Sequence, residues 1–284
     1  MSPESSPALV LGTAQWGLDY GATNTAGRLS DDAIRGILAV LPQLGVSLLD
    51  TAPAYGDAEA RIGALAPGIP VQTKVSGADD VRASIAHSAN LLGRRPTRVI
   101  VHDWPALTHE QRWATAAALE SLRAEGLVGL VGISGYDTAD LASGLDAFDR
   151  LDVAQMPVSI LDQRLMGSAE VATLRERGGL LQARSVYLQG VALSRSGETA
   201  LADHADVTRL RATCTAAGVD VAAACRAFVR SLDWVDEIVV GVTSADELTQ
   251  WSAADVVDGI DWRTCASDDP DLIDPRRWPP SVRG

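Results

Sequence analysis

Eight times along the chain, a short and largely apolar run gives way to an Ala- and Leu-rich amphipathic segment. The runs are LVLGTA (9–14), SLLDTA (47–52), VQTKV (71–75), RVIVHD (98–103), LVGLVGIS (127–134), DVAQMPV (152–158), LLQARSVY (180–187) and EIVVGVT (237–243). Helical periodicity follows at about 31–44, 57–65, 79–93, 108–125, 137–146, 168–177, 203–217 and 244–253. Continuous apolar strands that alternate with helices suit a parallel sheet covered on both faces. Eight such units fill 284 residues, which predicts an α/β fold: a closed (β/α)8 TIM barrel forming a single domain over 1–284, not a doubly wound sheet. Helix entries are marked by Ser30 before Asp31 and Asp32, by Thr108 with Glu110, and by Ser244 with Glu247 as a capping box. An extra helix is expected at about 219–232, before the last strand, and an irregular C-terminal tail after Asp255 is expected to wrap back over the barrel.

Composition narrows the function classes. Apolar residues at 46% suffice for a large core, and the net charge of −13 excludes the clustered cations of a nucleic-acid surface or a polybasic membrane anchor. Cys214, Cys225 and Cys265 are odd in number, far apart and without a CxxC pair, so they read as reduced thiols and no metal site is expected. The N-terminal MSPESSPALV lacks the basic and apolar regions of a signal peptide, and no apolar run approaches the ~18 residues of a membrane span. These features point to a cytoplasmic protein, a monomer or weak homo-oligomer.

In such a barrel, polar residues at the C-terminal ends of strands face the site. Asp50 ends the second run, Tyr55 lies in the turn after it, Lys74 ends the third run and His102 the fourth. Each alone has a structural explanation; together they form a chemical unit. A phenol is a poor acid at neutral pH, with an ordinary pKa of ~10, and a neighbouring ammonium stabilises its phenolate. Asp50 would hold Lys74 charged beside Tyr55, while the His102 imidazole orients a substrate carbonyl.

With LGTAQWG, LDTAPAYG, TKV, VHDW, VGISGY, AQMP, RSVYLQGVAL and VVGVTSADELTQ, the chain resembles the aldo-keto reductase family along nearly its whole length. The resemblance implies an Asp50–Tyr55–Lys74–His102 catalytic tetrad and a nicotinamide cofactor, usually NADPH, bound without a GxGxxG motif. It assigns Ser134 and Gln155 to the nicotinamide carboxamide, and Gly12 and Thr13 to the nicotinamide ribose. Ser185, Leu188 and Gly190 would follow the pyrophosphate, and Gly241, Thr243, Ser244 and Glu247 the adenosine end.

Four positions depart from the family pattern. Gly135 replaces a common Asn, Arg184 a stacking aromatic, Thr243 a common Arg or Lys, and Trp251 an Asn. Arg184 is expected to stack through its guanidinium plane. Without a cation near Thr243, NADPH is expected to have only a modest advantage over NADH. Trp16, Tyr20, Trp104 and Tyr136 are expected to wall an open pocket for a polar, sugar-like or specialised carbonyl or alcohol substrate. Two alternatives use the same scaffold: a redox-neutral epimerase or lyase, and a cofactor-sensing regulatory subunit.

Overall fold

The computed structural model describes residues 6–77, 79–252, 257, 259–279 and 282. Eight parallel strands close into one barrel in sequence order: β1 (Ala8–Gly12), β2 (Leu49–Asp50), β3 (Val71–Val75), β4 (Arg98–Val101), β5 (Leu130–Ser134), β6 (Val153–Pro157), β7 (Leu180–Arg184) and β8 (Glu237–Gly241). β8 closes on β1 over five residues, from Ala8 beside Glu237 to Gly12 beside Gly241. The fold is the (β/α)8 barrel expected from the alternation. The expected single domain spans 1–284, and its first five residues lie outside the described ones.

Helices pack around the strands: α1 (Ala14–Gly17), α2 (Asp31–Leu44), α3 (Ala58–Leu65), α4 (Val81–Leu92), α5 (His109–Ala124), α6 (Thr138–Ala147), α7 (Ala169–Glu176), α8 (Ala205–Ala217), α9 (Val221–Arg230), α10 (Ala245–Thr249) and α11 (Pro270–Ile273). α9 is the extra helix anticipated before the last strand. The α2 entry works as read, with Ser30 Oγ accepting from the Ala33 amide at 3.2 Å. At α5 the capping box closes through Gln111 and not Glu110, because Gln111 stands three residues after Thr108 and reaches back to its amide at 2.8 Å. α10 ends at Thr249 and a 3₁₀ turn continues to Ser252; position 253 of the expected helix lies outside the described residues. No single helix among the described residues is long and apolar enough to cross a membrane.

One expectation needs correcting. The strands are not apolar on both faces: the barrel interior carries a polar seam. Gln72 Nε2 donates to Gln182 Oε1 at 2.7 Å across the barrel from β3 to β7, and Gln155 Nε2 on β6 donates to the same oxygen at 2.6 Å. Gln182 Nε2 donates onward to Glu237 at 2.9 Å, and Glu237 accepts both ends of the Arg98 guanidinium at 2.6 and 2.9 Å. Apolar side chains such as Val71 and Val75 flank the inward Gln72 and Lys74, so the strand alternates after all. Gln155 and Gln182 stand side by side on β6 and β7 and Gln72 reaches Gln182 across the barrel, so each amide finds a partner, which offsets the penalty of burying them.

The tail does wrap back over the barrel. Ser267 N donates to Leu161 O at 2.9 Å, and Gln163 Nε2 donates to Trp262 O at 2.8 Å. Trp278 anchors it: the ring is 1% exposed and its indole N–H donates to Leu272 O at 2.8 Å. Trp278→Ala should therefore lower unfolding free energy by about 3–5 kcal/mol, the usual range for a deleted core aromatic. Urea titration followed by circular dichroism checks this; a loss under about 1 kcal/mol would mean the tail is peripheral to the core.

Candidate active site

Asp50, Lys74 and His102 reach the C-terminal mouth of the barrel from three successive strands, as their spacing suggested. Lys74 Nζ donates to Asp50 Oδ2 at 2.7 Å and to the Thr51 carbonyl at 3.2 Å, and it lies 3.2 Å from the Tyr55 hydroxyl. Lys74 is 1% exposed and Asp50 3%, so both charges are withdrawn from water. Burial by itself would lower the Lys74 pKa, but Asp50 and then Tyr55 outweigh it and hold the ammonium above its ordinary value. Asp50 Oδ1 accepts two further donors from the interior seam, Gln72 at 2.7 Å and Gln155 at 3.0 Å. His102 meets the Tyr55 ring edge-on at 5.8 Å. Burial, and then the nearby Lys74 charge, push its pKa down to about 4, so its imidazole is neutral at physiological pH.

Backbone close packing aims Tyr55. Its turn runs against the end of α1, where a Cβ on Gly17 would fall 1.8 Å from the Tyr55 carbonyl oxygen. Gly56, at φ +60°, leaves no more room: a Cβ there would lie 2.6 Å from Gly17 O. The two glycines let the chain segments touch, and the phenol is held by its backbone as well as by Lys74.

A cavity of about 480 Å³ opens over these groups, bordered by Asp50, Tyr55 and His102. Gly12, Thr13, Ser134, Gln155, Arg184, Ser185 and Gly241 also line it, as does Tyr20. The 185–190 segment is conformationally unusual. Ser185, Leu188 and Gln189 all have left-handed φ (60°, 49° and 54°), and a Cβ on Gly190 would overlap Thr23 Oγ1 at 2.0 Å. In this segment Ser185, Val186, Tyr187 and Gln189 border the cavity, while Leu188 is buried and Gly190 packs on Thr23.

Thr243, Ser244 and Glu247 do not line the cavity. The Glu247 carboxylate accepts from the Thr243 amide at 2.6 Å and from its hydroxyl at 2.9 Å, so both Thr243 donors are already engaged.

Two expected wall residues are corrected. Trp16 and Trp104 are both fully buried in the core and neither borders the cavity. The Trp104 indole N–H donates to Asp140 O at 3.2 Å and Ser143 Oγ at 2.9 Å, so α6 offers it a satisfied site away from the mouth. The Trp16 ring lies in the hydrophobic core, and Arg61 donates to its carbonyl. Tyr136 does border the cavity, and so do Gln15 and Tyr187, which the sequence reading left out, and Arg276 of the C-terminal tail. Arg184 stacks as expected, though on Tyr136, with its guanidinium carbon 4.5 Å from the ring centroid.

The Aldo/keto reductase family model matches residues 8–257. The chain belongs to the aldo-keto reductase family. As an aldo-keto reductase it is an oxidoreductase, and the family works with nicotinamide cofactors on small carbonyl compounds. No curated protein matches it at a significant level. Among solved structures it resembles a Pseudomonas aeruginosa protein assigned to the aldo-keto reductases, at 23% identity and a TM-score of 0.66, over 87% of this chain and 88% of that one. An aldo-keto reductase from Bacillus halodurans, in its holo form, aligns at 20% identity and a TM-score of 0.68 (88% and 90% covered). A glycerol dehydrogenase from Gluconobacter oxydans aligns at 15% identity and a TM-score of 0.66 (93% and 94% covered). At these identities the likeness establishes the fold.

The residues lining this aldo-keto reductase's cavity fit a nicotinamide carboxamide. Both amide hydrogens of Gln155 are spent on Asp50 and Gln182, and its Oε1 has no hydrogen-bond donor among the described residues. Gln15 Oε1 is buried and has no hydrogen-bond partner among the described residues. An open acceptor on Gln155 beside Ser134, and another on Gln15 against Gly241, suit a ligand that brings N–H and O–H donors.

The histidine yields a stability prediction. Between roughly pH 4 and 6.5 an unfolded chain binds a proton at His102 that the native protein refuses, so stability falls as pH drops through that window. Denaturant melts at pH 7 and pH 5 should show the parent losing about 2 kcal/mol more than His102→Gln over this interval. Equal losses would mean that His102 titrates normally.

Proposed function

We propose that the protein reduces a carbonyl to an alcohol, or runs the reverse oxidation, with Tyr55 as the proton donor. One observation carries this reading: the Tyr55 hydroxyl lies 3.2 Å from a buried Lys74 ammonium that Asp50 holds at 2.7 Å, on a cavity shared with His102. A bound nicotinamide supplies or accepts the hydride. Tyr55 gives its proton to the carbonyl oxygen as charge develops there, and the Lys74 ammonium steadies the phenolate left behind. The neutral His102 ring donates an N–H to the same oxygen and orients it without adding charge. Asp50 keeps Lys74 charged and in place.

Ser134 and Gln155 are the proposed carboxamide partners, with Gly12, Thr13 and Ser185 along the ribose and phosphates. Tyr20, Tyr136 and Arg276 are the proposed substrate wall, polar enough for a sugar-like carbonyl. Three free, buried cysteines support a reducing, cytoplasmic setting.

Tyr55→Phe and Lys74→Met should each cut turnover by ~10²-fold or more while leaving cofactor affinity near that of the parent. The double variant should be little worse than either, because the two residues act as a unit. Steady-state kinetics that follow nicotinamide absorbance test both points. Near-normal turnover in Tyr55→Phe would remove the mechanism, and product formed with no absorbance change would favour the redox-neutral alternative.

Cofactor choice is the finer question. The Glu247 carboxylate at the Thr243 amide and hydroxyl opposes a 2′-phosphate there, so the NADPH preference should be ~10-fold or less, about one hydrogen bond's worth. Dissociation constants for NADPH and NADH, measured by fluorescence quenching at matched ionic strength, check this. A preference above ~100-fold would implicate a cation on the cavity wall, Arg184 or Arg276.

A further inference from the structure

We propose that the cavity selects carbonyl substrates bearing an anionic group, a carboxylate or a phosphate, which docks on Arg276 and Arg184 beside Tyr136. The proposal rests on the carbonyl-reductase reading above. Both guanidiniums lie over the one Tyr136 ring, at 4.0 Å (Arg276) and 4.5 Å (Arg184) from its centroid, and all three residues border the cavity that holds Tyr55 and His102. In a chain of net charge −13, two cations gathered on one aromatic ring at the mouth of the site run against the overall charge.

Local ion pairing accounts for Arg276 but not for Arg184. Arg184 donates to neutral acceptors, Gly135 O at 2.9 Å and Ser185 Oγ at 3.2 Å, and has no carboxylate partner among the described residues. Arg276 is gripped by Asp274 through Nε (2.8 Å to Oδ1) and Nη2 (2.6 Å to Oδ2), which fixes the plane of its guanidinium. Asp140 adds its own attraction to Arg276, so the positive charge left for a ligand on this wall comes from Arg184. The Arg184 charge is felt at the reacting end, where it helps to disfavour protonation of His102 and to draw the Tyr20 pKa down against burial. An anion seated there gains charge-assisted hydrogen bonds from planar donors that stacking has already oriented.

The NADPH phosphates are the rival occupant, so the test separates the two. Purified full-length protein is assayed with two matched pairs, succinic semialdehyde against butanal and glyceraldehyde 3-phosphate against glyceraldehyde. In the parent, kcat/KM for at least one charged member should exceed that of its neutral partner by ~10-fold or more, and the pair that shows it identifies carboxylate or phosphate as the group. In Arg276→Gln that ratio should fall ~10-fold, and in Arg276→Lys it should be partly restored. Equal handling of charged and neutral aldehydes by the parent overturns the proposal while leaving the reductase reading intact. An unchanged ratio in Arg276→Gln overturns it too. A shift of more than ~10-fold in the NADPH-to-NADH ratio of dissociation constants in that variant would assign Arg276 to the cofactor and also overturn it. No nicotinamide consumption with any of the four aldehydes would instead bring down the reductase reading, and the proposal with it.

Discussion

The site depends on an ammonium and a carboxylate held together out of water. Moving either charge into the barrel alone would cost several kcal/mol, and their mutual attraction offsets this only if the remaining lone pairs are also satisfied. Here they are. Lys74 takes Oδ2 of Asp50, and the Gln72 and Gln155 amides take Oδ1. Those amides are themselves fixed by Gln182, and Gln182 by the Glu237–Arg98 pair. The polar interior is therefore the support of the ion pair. Without it, a buried charge beside Tyr55 would be hard to keep.

Geometry around Tyr55 has a second source, in backbone contact. The Gly17–Gly56 approach places the phenol from below, while Lys74 meets it from the barrel. Left-handed backbone at Ser185, Leu188 and Gln189 shapes the opposite side of the cavity. Such conformations cost free energy and persist only where their surroundings enforce them; here Gly190 pressed against Thr23 is part of that enforcement.

Much of this was legible in the sequence, for identifiable reasons. Strand count and order follow from eight apolar runs at α/β spacing, and the positions of Asp50, Lys74 and His102 follow from the rule that strand ends build the site. The seam was not read, although its signal was present: Gln72, Gln155 and Gln182 stand mid-strand where the barrel interior must be. Treating each strand as uniformly apolar hid that alternation. Trp16 and Trp104 were misjudged because a tryptophan beside a site motif reads equally well as wall or as core, and only packing separates the two. Arg276 lies in a tail without periodicity, so nothing local tied it to residues some 140 positions earlier, where Tyr136 stands.

All four tetrad residues lie within the first 102 positions, on or just beyond β2, β3 and β4. Their electrostatic setting does not. Gln155, Gln182 and Glu237 come from β6, β7 and β8, which are made last and which close the ring. An amino-terminal half of this chain would thus contain every proposed reacting side chain and still lack Gln155, Gln182 and Glu237, which complete the polar seam behind Asp50. The site is a property of closure: its side chains are encoded early, and the polar interior that supports them is complete only with the final strand.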